Sequence, residues 1–285
     1  MRHLFLTTLF LLITLTPLRA ERIEYNHCVQ AYGSLHAGAP DTIILSRNNI
    51  FLNLHGGIGY GLYRDLGVSP LTYRGLQIYP SISVGLQKSY WRYEAMFSVA
   101  GGVYGLRLGT DYIQAYGGHP VLGVKALRLL LVGNHFSLWA GGLADNLFDI
   151  RYNASFGNAN VGFSNFARLN LEGRAEYRLR NFLFHINLQI NALSLLYRPG
   201  FAYMDNYDQD ISSPVINTFD QYRCYLAIVT GAAPDLGATL LLSNGNRVGL
   251  SYQWNYLTSR TTTLAPHLFQ YADHALLFHL GVRLN

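Results

Sequence analysis

Charge is the first thing this chain is short of. Asp, Glu, Lys and Arg make up 13% of its residues, against roughly 25% in a typical soluble chain. Lysine, the usual covering of a soluble surface, stands only at Lys88 and Lys125. A soluble domain of 285 residues could hardly be covered this way; a wall that faces lipid needs no such cover. Long apolar runs are also missing. The mostly apolar stretch from Leu4 to Leu15 falls short of the ~20 residues a spanning helix needs, and no other segment reaches that length, so no transmembrane helix is expected. The formal charge of +5 is mild, and the basic residues form no run, so nucleic acid is not an expected partner. Cysteine occurs at Cys28 and Cys224 only. Pairing is permitted in an oxidising compartment, but with Cys28 ahead of the folded body and Cys224 in an outer loop the two lie too far apart to bond.

The start of the chain points to export. A basic Met1-Arg2-His3, a short apolar core and Arg19-Ala20 before Glu21 read as a secretory signal peptide, residues 1–20, cut after about Ala20. Cys28 does not follow a lipoprotein-type cleavage pattern, so lipid anchoring is not expected. Residues 21–48 show no clear period, carry Gly33, Gly38 and Pro40, and read as a periplasmic lead-in.

From there to residue 285 a two-residue alternation is the rule, and the stretch Phe166–Tyr197 shows it best. Arg168, Asn170, Glu172, Arg174, Glu176 and Arg178 share one side of a strand, and Leu169, Leu171, Gly173, Ala175, Tyr177 and Leu179 share the other. After Arg180-Asn181 the chain returns with Phe184, Ile186, Leu188, Ile190 and Ala192 opposing His185, Asn187, Gln189 and Asn191. Each arm exceeds the ~5–6 residues of a globular strand. The same alternation recurs in Leu52–Leu62, in Ile78–Leu86 with Pro80 suggesting a bulge, and in Tyr93–Val99, whose other face holds Arg92 and Glu94. Val121–Val132 and His135–Asn146 are less cleanly phased. Leu236–Leu242 leads through Asn244-Gly245, the strongest hairpin signal in the chain, to a strand with Arg247 and Gln253 on its polar face.

Alternation alone fits a soluble sandwich with a wet charged face or a membrane barrel with a polar lumen. Connection lengths favour the barrel. Short ones fall at residues 87–90, 132–134, 178–181 and 243–246, and long ones at 64–72, 107–119, 151–162, 198–235 and 259–269. Short turns on one side and long loops on the other are how outer-membrane barrels are built. Tyr60, Tyr63, Trp91, Tyr93, Tyr177, Tyr197, Tyr252, Trp254 and Tyr256 would form interfacial girdles. The expected fold is an all-β, antiparallel transmembrane β-barrel spanning residues 49–285. It has about ten strands, both termini periplasmic and a long external loop at 198–235. Twelve strands is the alternative, if residues 215–231 add wall.

Arg151-Tyr152-Asn153 with Asn158-Ala159-Asn160, then Leu169-Asn170-Leu171-Glu172-Gly173, Ala175-Glu176-Tyr177 and Leu196-Tyr197-Arg198-Pro199-Gly200, give the middle half of the chain a layout that resembles a group of uncharacterised outer-membrane β-barrel proteins of the Bacteroidota. The large loop departs from that group's aromatic-rich pattern. The resemblance implies a fold and an outer-membrane location, and no activity.

The candidate functional residues are therefore lumen residues: Arg168, Asn170, Glu172, Arg174, Glu176, Arg178, His185, Asn187, Gln189, Asn191, Arg247 and Gln253. A charged pore lining is one reading of them. A barrel of this size is barely wider than its own side chains, so paired filling is the other, and the stronger. Catalytic candidates are thin. His135-Phe136-Ser137 has the two-residue spacing used by outer-membrane lipid hydrolases, but at the rim expected to be periplasmic. An omptin-like protease needs acidic and His–Asp pairs at the outer rim, for which Asp273-His274 and the loop acids Asp205, Asp208, Asp210 and Asp220 are the material. Asp205–Asp210 resembles a calcium loop in composition without its glycine turn or terminal glutamate, and the histidines lack metal spacing. No cofactor or metal is expected. The expected function is structural, or the binding or passive transport of small solutes, with outer-membrane lipids and the barrel-assembly machinery as partners. An outer-leaflet hydrolase of lipid or peptide, or an adhesin using the 198–235 loop, is the alternative.

Overall fold

The computed structural model describes residues 49–65, 69–88, 90–108, 111–153, 161–199, 222–261 and 268–284, all within one compact unit, Ile43–Asn285. The expected signal peptide, the expected lead-in with Cys28, and Asp205, Asp208, Asp210 and Asp220 lie outside the described residues. The strands are β1 (Asn49–Asp65), β2 (Ser69–Ile78), β3 (Ser81–Lys88), β4 (Trp91–Leu108), β5 (Asp111–Val132), β6 (Phe136–Asn153), β7 (Val161–Leu179), β8 (Phe182–Pro199), β9 (Tyr222–Leu241), β10 (Arg247–Thr261) and β11 (Leu268–Arg283). Neighbours pair antiparallel, and β1 closes on β11 from Phe51↔Arg283 to Asp65↔Phe269. The strands β2 and β3 share one place in the wall, since each pairs with both β1 and β4. The wall is therefore a closed barrel of ten strands. Closure leaves no edge carrying unpaired backbone groups, the condition a sheet must meet to stand in hydrocarbon.

Burial is inverted relative to a soluble protein. Leu171 is 62% exposed and its neighbour Glu172 2%; Ile58, Leu76, Leu122, Ile186 and Phe278 also face out, while Glu176, Asp145 and Asp149 are buried. The apolar residues of the alternation form the outer wall and the charges fill the inside.

Several expectations need correction. Residues 222–235 belong to β9, paired with β8 and β10, so the expected loop at 198–235 gives up its last fourteen residues to the wall, and Cys224 sits opposite Tyr197 rather than in a loop. Gly231-Ala232-Ala233-Pro234 carries no alternation to read. The flanking strands, which need partners, set its place. Likewise residues 107–119 are not a connection: β4 runs to Leu108 and β5 starts at Asp111, with Gly117 and Gly118 opposite Gly102 and Gly101.

Pro80 does not make a bulge. Ile58↔Ile78 and His55↔Ser81 keep one register across it, Tyr79 N donates to Gly57 O at 3.0 Å, and Val99 N donates to Pro80 O at 2.9 Å. A true bulge occurs instead at Ala192. Leu169 faces Leu193 and Asn170 faces Asn191, so Ala192 and Leu193 both point outward and Ser194 and Leu196 turn in. A second bulge at Leu130 separates Leu129↔Trp139 from Leu131↔Leu138. It puts Leu130 and Leu131 both on the outer face; ahead of it the alternation is regular, with Lys125 facing in and Arg128 out. Tyr63, expected in a girdle, is buried inside the barrel.

The short connections at residues 89–90, 133–135, 180–181 and 242–246 fall at the same end as Asn49 and Arg283, here called the turn end. The opposite end, where β8 and β9 are joined through residues 200–221, is the loop end.

Candidate functional site: the barrel interior

Alternation delivers a polar side chain to the lumen at every second position, and closure then fixes which of them meet. At the turn end, Arg92 on β4 grips Glu176 on β7 with both terminal nitrogens, at 2.6 and 2.9 Å. Its guanidinium lies over the Trp139 ring, 3.9 Å from the centroid. Arg174 Nε donates to the same carboxylate at 2.9 Å, Ser137 Oγ at 3.2 Å. Arg247 lies over the Phe51 ring at 3.8 Å.

One level further in, Lys125 bridges Glu94 at 2.9 Å and Glu172 at 3.3 Å. Gln189 donates to Glu172 at 3.3 Å, Asn187 faces the same carboxylate across 3.1 Å, and Ser83 Oγ donates to Glu94. His185 meets Asp235 at 3.1 Å, His279 meets Ser251 at 2.6 Å, and the His55 ring stands edge-on to His279. Above these, Arg168 makes a forked pair with Asp145 at 2.6 and 3.0 Å, which also accepts from Asn170; Asn191 donates to Asn170 Oδ1 at 3.0 Å.

Nearest the loop end the network turns to tyrosine. Gln77 donates to Tyr104 OH, Tyr79 OH donates to Gln77, and Tyr271 OH donates to Asp273. Asp273 also accepts from Asn255 at 2.6 Å, and Asn255 accepts from Gln253 at 2.9 Å. His119 bridges Tyr104 OH at 3.2 Å and Asp149 at 3.0 Å, and Arg151 holds Asp149 at 2.5 Å. Beyond this layer Tyr63, Tyr73, Tyr104, Phe166, Leu196, Leu257 and Phe269 form one buried apolar cluster across the interior.

Between that cluster and the turn end lies a cavity of about 400 Å³, lined by Arg92, Lys125, Arg168, Arg174, Arg247, His185, Asn187, Gln189, Asn191 and Gln253 among others. Side-chain exposure falls along the barrel, from 24% and 23% at Arg92 and Arg174 near the turn end to 0% and 4% at Asp149 and Arg151 nearer the loop end. The turn end is the more open of the two.

Of the lumen residues read from sequence, Arg168, Asn170, Glu172, Arg174, Glu176, His185, Asn187, Gln189, Asn191, Arg247 and Gln253 stand inside the barrel. Arg178 does not join them: its Nε donates to Arg180 O at 3.3 Å in the β7–β8 turn. Only part of the expected Arg–Glu pairing runs along β7: Arg174 goes to Glu176 on the same strand, but Arg168 goes to Asp145 and Glu172 to Lys125, both on other strands. Alternation marks a residue as inward; it says nothing of what stands across the barrel.

The catalytic candidates come apart. Asp273 is buried in the lumen network, whereas His274 is exposed on the outer face beside Tyr60 and Tyr252. Consecutive strand residues point to opposite faces, so the two cannot act as a pair. Similarly His135 packs on Tyr177 and Ser137 bonds Glu176 and Trp139, leaving no His–Ser contact. No group of side chains suited to hold a metal occurs among the described residues.

No family model matches the chain, and no curated protein matches it. Solved structures do. The chain is similar to the outer membrane protease OmpT from Escherichia coli, at 11% identity and a TM-score of 0.51, over 83% of this chain and 97% of that one. It is also similar to the transport unit of the autotransporter AIDA-I from Escherichia coli (10% identity, TM-score 0.41, 90% and 95% covered) and to the beta domain of the Bordetella autotransporter BrkA (12%, 0.36, 83% and 98%). At such identities the likeness speaks of fold alone. Together with the closed wall and inverted burial, the likeness to the OmpT structure gives this chain the fold of an outer-membrane β-barrel.

Proposed function

We propose that this protein is exported, loses residues 1–20, and resides in a bacterial outer membrane as a barrel whose lumen is a solute-binding chamber and not an open pore. The observation that carries the reading is the buried apolar cluster of Tyr63, Tyr73, Tyr104, Phe166 and Phe269 at the loop end. Ions and small polar solutes would have to cross it without water. The chamber beneath it stays in contact with water at the turn end. By the usual build of such barrels the short turns and both termini face the periplasm. The chamber then opens inward, toward the cell. The resemblance to Bacteroidota outer-membrane barrels supports the same location, and the lipids of that membrane and its assembly machinery are the expected partners. Passive transport would require a water path past the cluster, and the burial of its side chains weighs against one.

Two measurements on the full chain test this. Cell fractionation should place the mature protein in the outer membrane. In planar bilayers the wild type should hold no steady ion current, while Phe166→Ala/Phe269→Ala, which thins the cluster, should conduct. Steady conductance by the wild type would return the protein to the pore reading.

A further inference from the structure

We infer that the turn-end mouth of the chamber is a binding site for a single oxyanion group, a phosphate or carboxylate, on a small polar solute. The inference rests on the chamber reading above and names what the chamber takes. Three guanidinium groups, those of Arg92, Arg174 and Arg247, line this end of the cavity; among the described residues the carboxylate ion-paired with the first two is Glu176, while Asp235 and Glu94 act on Arg174 at longer range. Arg92 occupies both oxygens of Glu176 and Arg174 adds only its Nε. Arg247 makes no ion pair among the described residues; its contact is the face of Phe51. It lies within charge–charge range of three cations, Arg92, Arg174 and Arg283, and of one carboxylate, Glu176, which Arg92 and Arg174 already hold.

Like charges gathered in a partly dry space repel, and an oxyanion placed between them would relieve that repulsion. The planar fork of arginine suits phosphate and carboxylate better than a halide, because two parallel N–H groups match two oxygens. The carboxylates deeper in are otherwise engaged. Glu94 and Glu172 share Lys125, Asp145 holds Arg168, and Asp235 holds His185. The charge of the lumen is thus positive at the mouth and balanced or negative beyond it. Asn53, Asn187, Gln189 and Asn191 line the middle of the cavity and offer amide donors and acceptors to an uncharged body. A ligand with one anionic head and a neutral, hydrogen-bonding body fits. A second negative charge carried deep would meet Glu94 and Asp235. A volume near 400 Å³ is in the range of small-molecule sites.

The test is calorimetric titration of the detergent-solubilised full chain with inorganic phosphate at low salt. Folding of each variant is checked by the migration of unheated barrel in SDS gels. The wild type should show saturable binding. Arg247→Gln should weaken it roughly tenfold, the loss of one charge-assisted partner, and Arg247→Lys should restore part of it. Lys88→Gln removes an exposed cation at the same end of the barrel and should change nothing. Folded wild type without saturable binding, or equal loss in Arg247→Gln and Lys88→Gln, overturns the inference. Bilayer conductance of the same samples separates the two proposals: a silent barrel that ignores phosphate loses only the anion site, and a conducting one loses the sealed chamber.

Discussion

One peptide bond separates two solvents at Leu171 and Glu172. Leu171 stands on the outer wall and Glu172 against Lys125 inside, so equal-sized changes at the two should differ in kind. Leu171→Arg puts a cation on the lipid face and should cost about 2–4 kcal/mol. Glu172→Gln leaves Lys125 with Glu94 as its remaining acid and should cost less, on the order of 1–2 kcal/mol, without blocking insertion. Urea unfolding from lipid vesicles reads both. A soluble sandwich would also reject arginine at Leu171, so a second measurement is needed. A cysteine replacing Leu169 or Leu188, both exposed on the outer face, should be shielded from a water-soluble thiol reagent yet quenched by a lipid-borne probe. Sites that respond to no lipid probe would sink the membrane reading.

At the scale of the element, the wall departs from ideal alternation in places that serve the interior. The bulge at Ala192 turns Ser194 and Leu196 inward, and Leu196 thereby joins the apolar cluster. Close strand approach is the other departure. A Cβ at Gly75 would lie 1.8 Å from Val103 O and 2.7 Å from Tyr104 Cα, and one at Gly102 would lie 2.0 Å from Leu76 O. Backbone cannot yield as a side-chain tip can, so only glycine allows β2 and β4 to meet there. Gly75→Ala should therefore separate these strands and cost on the order of 2 kcal/mol. Gly173→Ala, where a Cβ would meet nothing within 4 Å, should be close to neutral. Equal effects in the two variants, measured by thermal unfolding in detergent, would show that the close approach does not matter.

For the whole molecule, labelling from the two sides of the membrane reports which way the barrel stands. With Cys28 and Cys224 replaced by serine, single cysteines can be placed at Arg107, next to the loop end, and at Asn181, in the β7–β8 turn. In intact cells Arg107→Cys should react with a membrane-impermeant thiol reagent. Asn181→Cys should react only after the outer membrane is opened. The reverse pattern would put the chamber mouth on the cell surface and make the anion site a receptor for external solutes.

The sequence by itself determined the kind of wall. Low charge, two-residue alternation and long hairpins are local properties, and they sufficed to say all-β, lipid outside and polar inside, and to place residues such as Glu172 and Gln189 in the lumen. Alternation fades where glycine, alanine and proline carry no side-chain signal, and so Gly117-Gly118 and Gly231–Pro234 look like connections in the sequence although they are wall. Only the tertiary structure decided the pairings. Arg92 and Glu176 are 84 positions apart and Gln77 and Tyr271 are 194 apart, and nothing in either segment names the other. Their meeting depends on closure of β1 on β11 and on the register of every ladder between. The same closure gathers Tyr63, Tyr104, Phe166 and Phe269 from separate strands into the layer that seals one end, because the cluster exists only once the sheet is a ring.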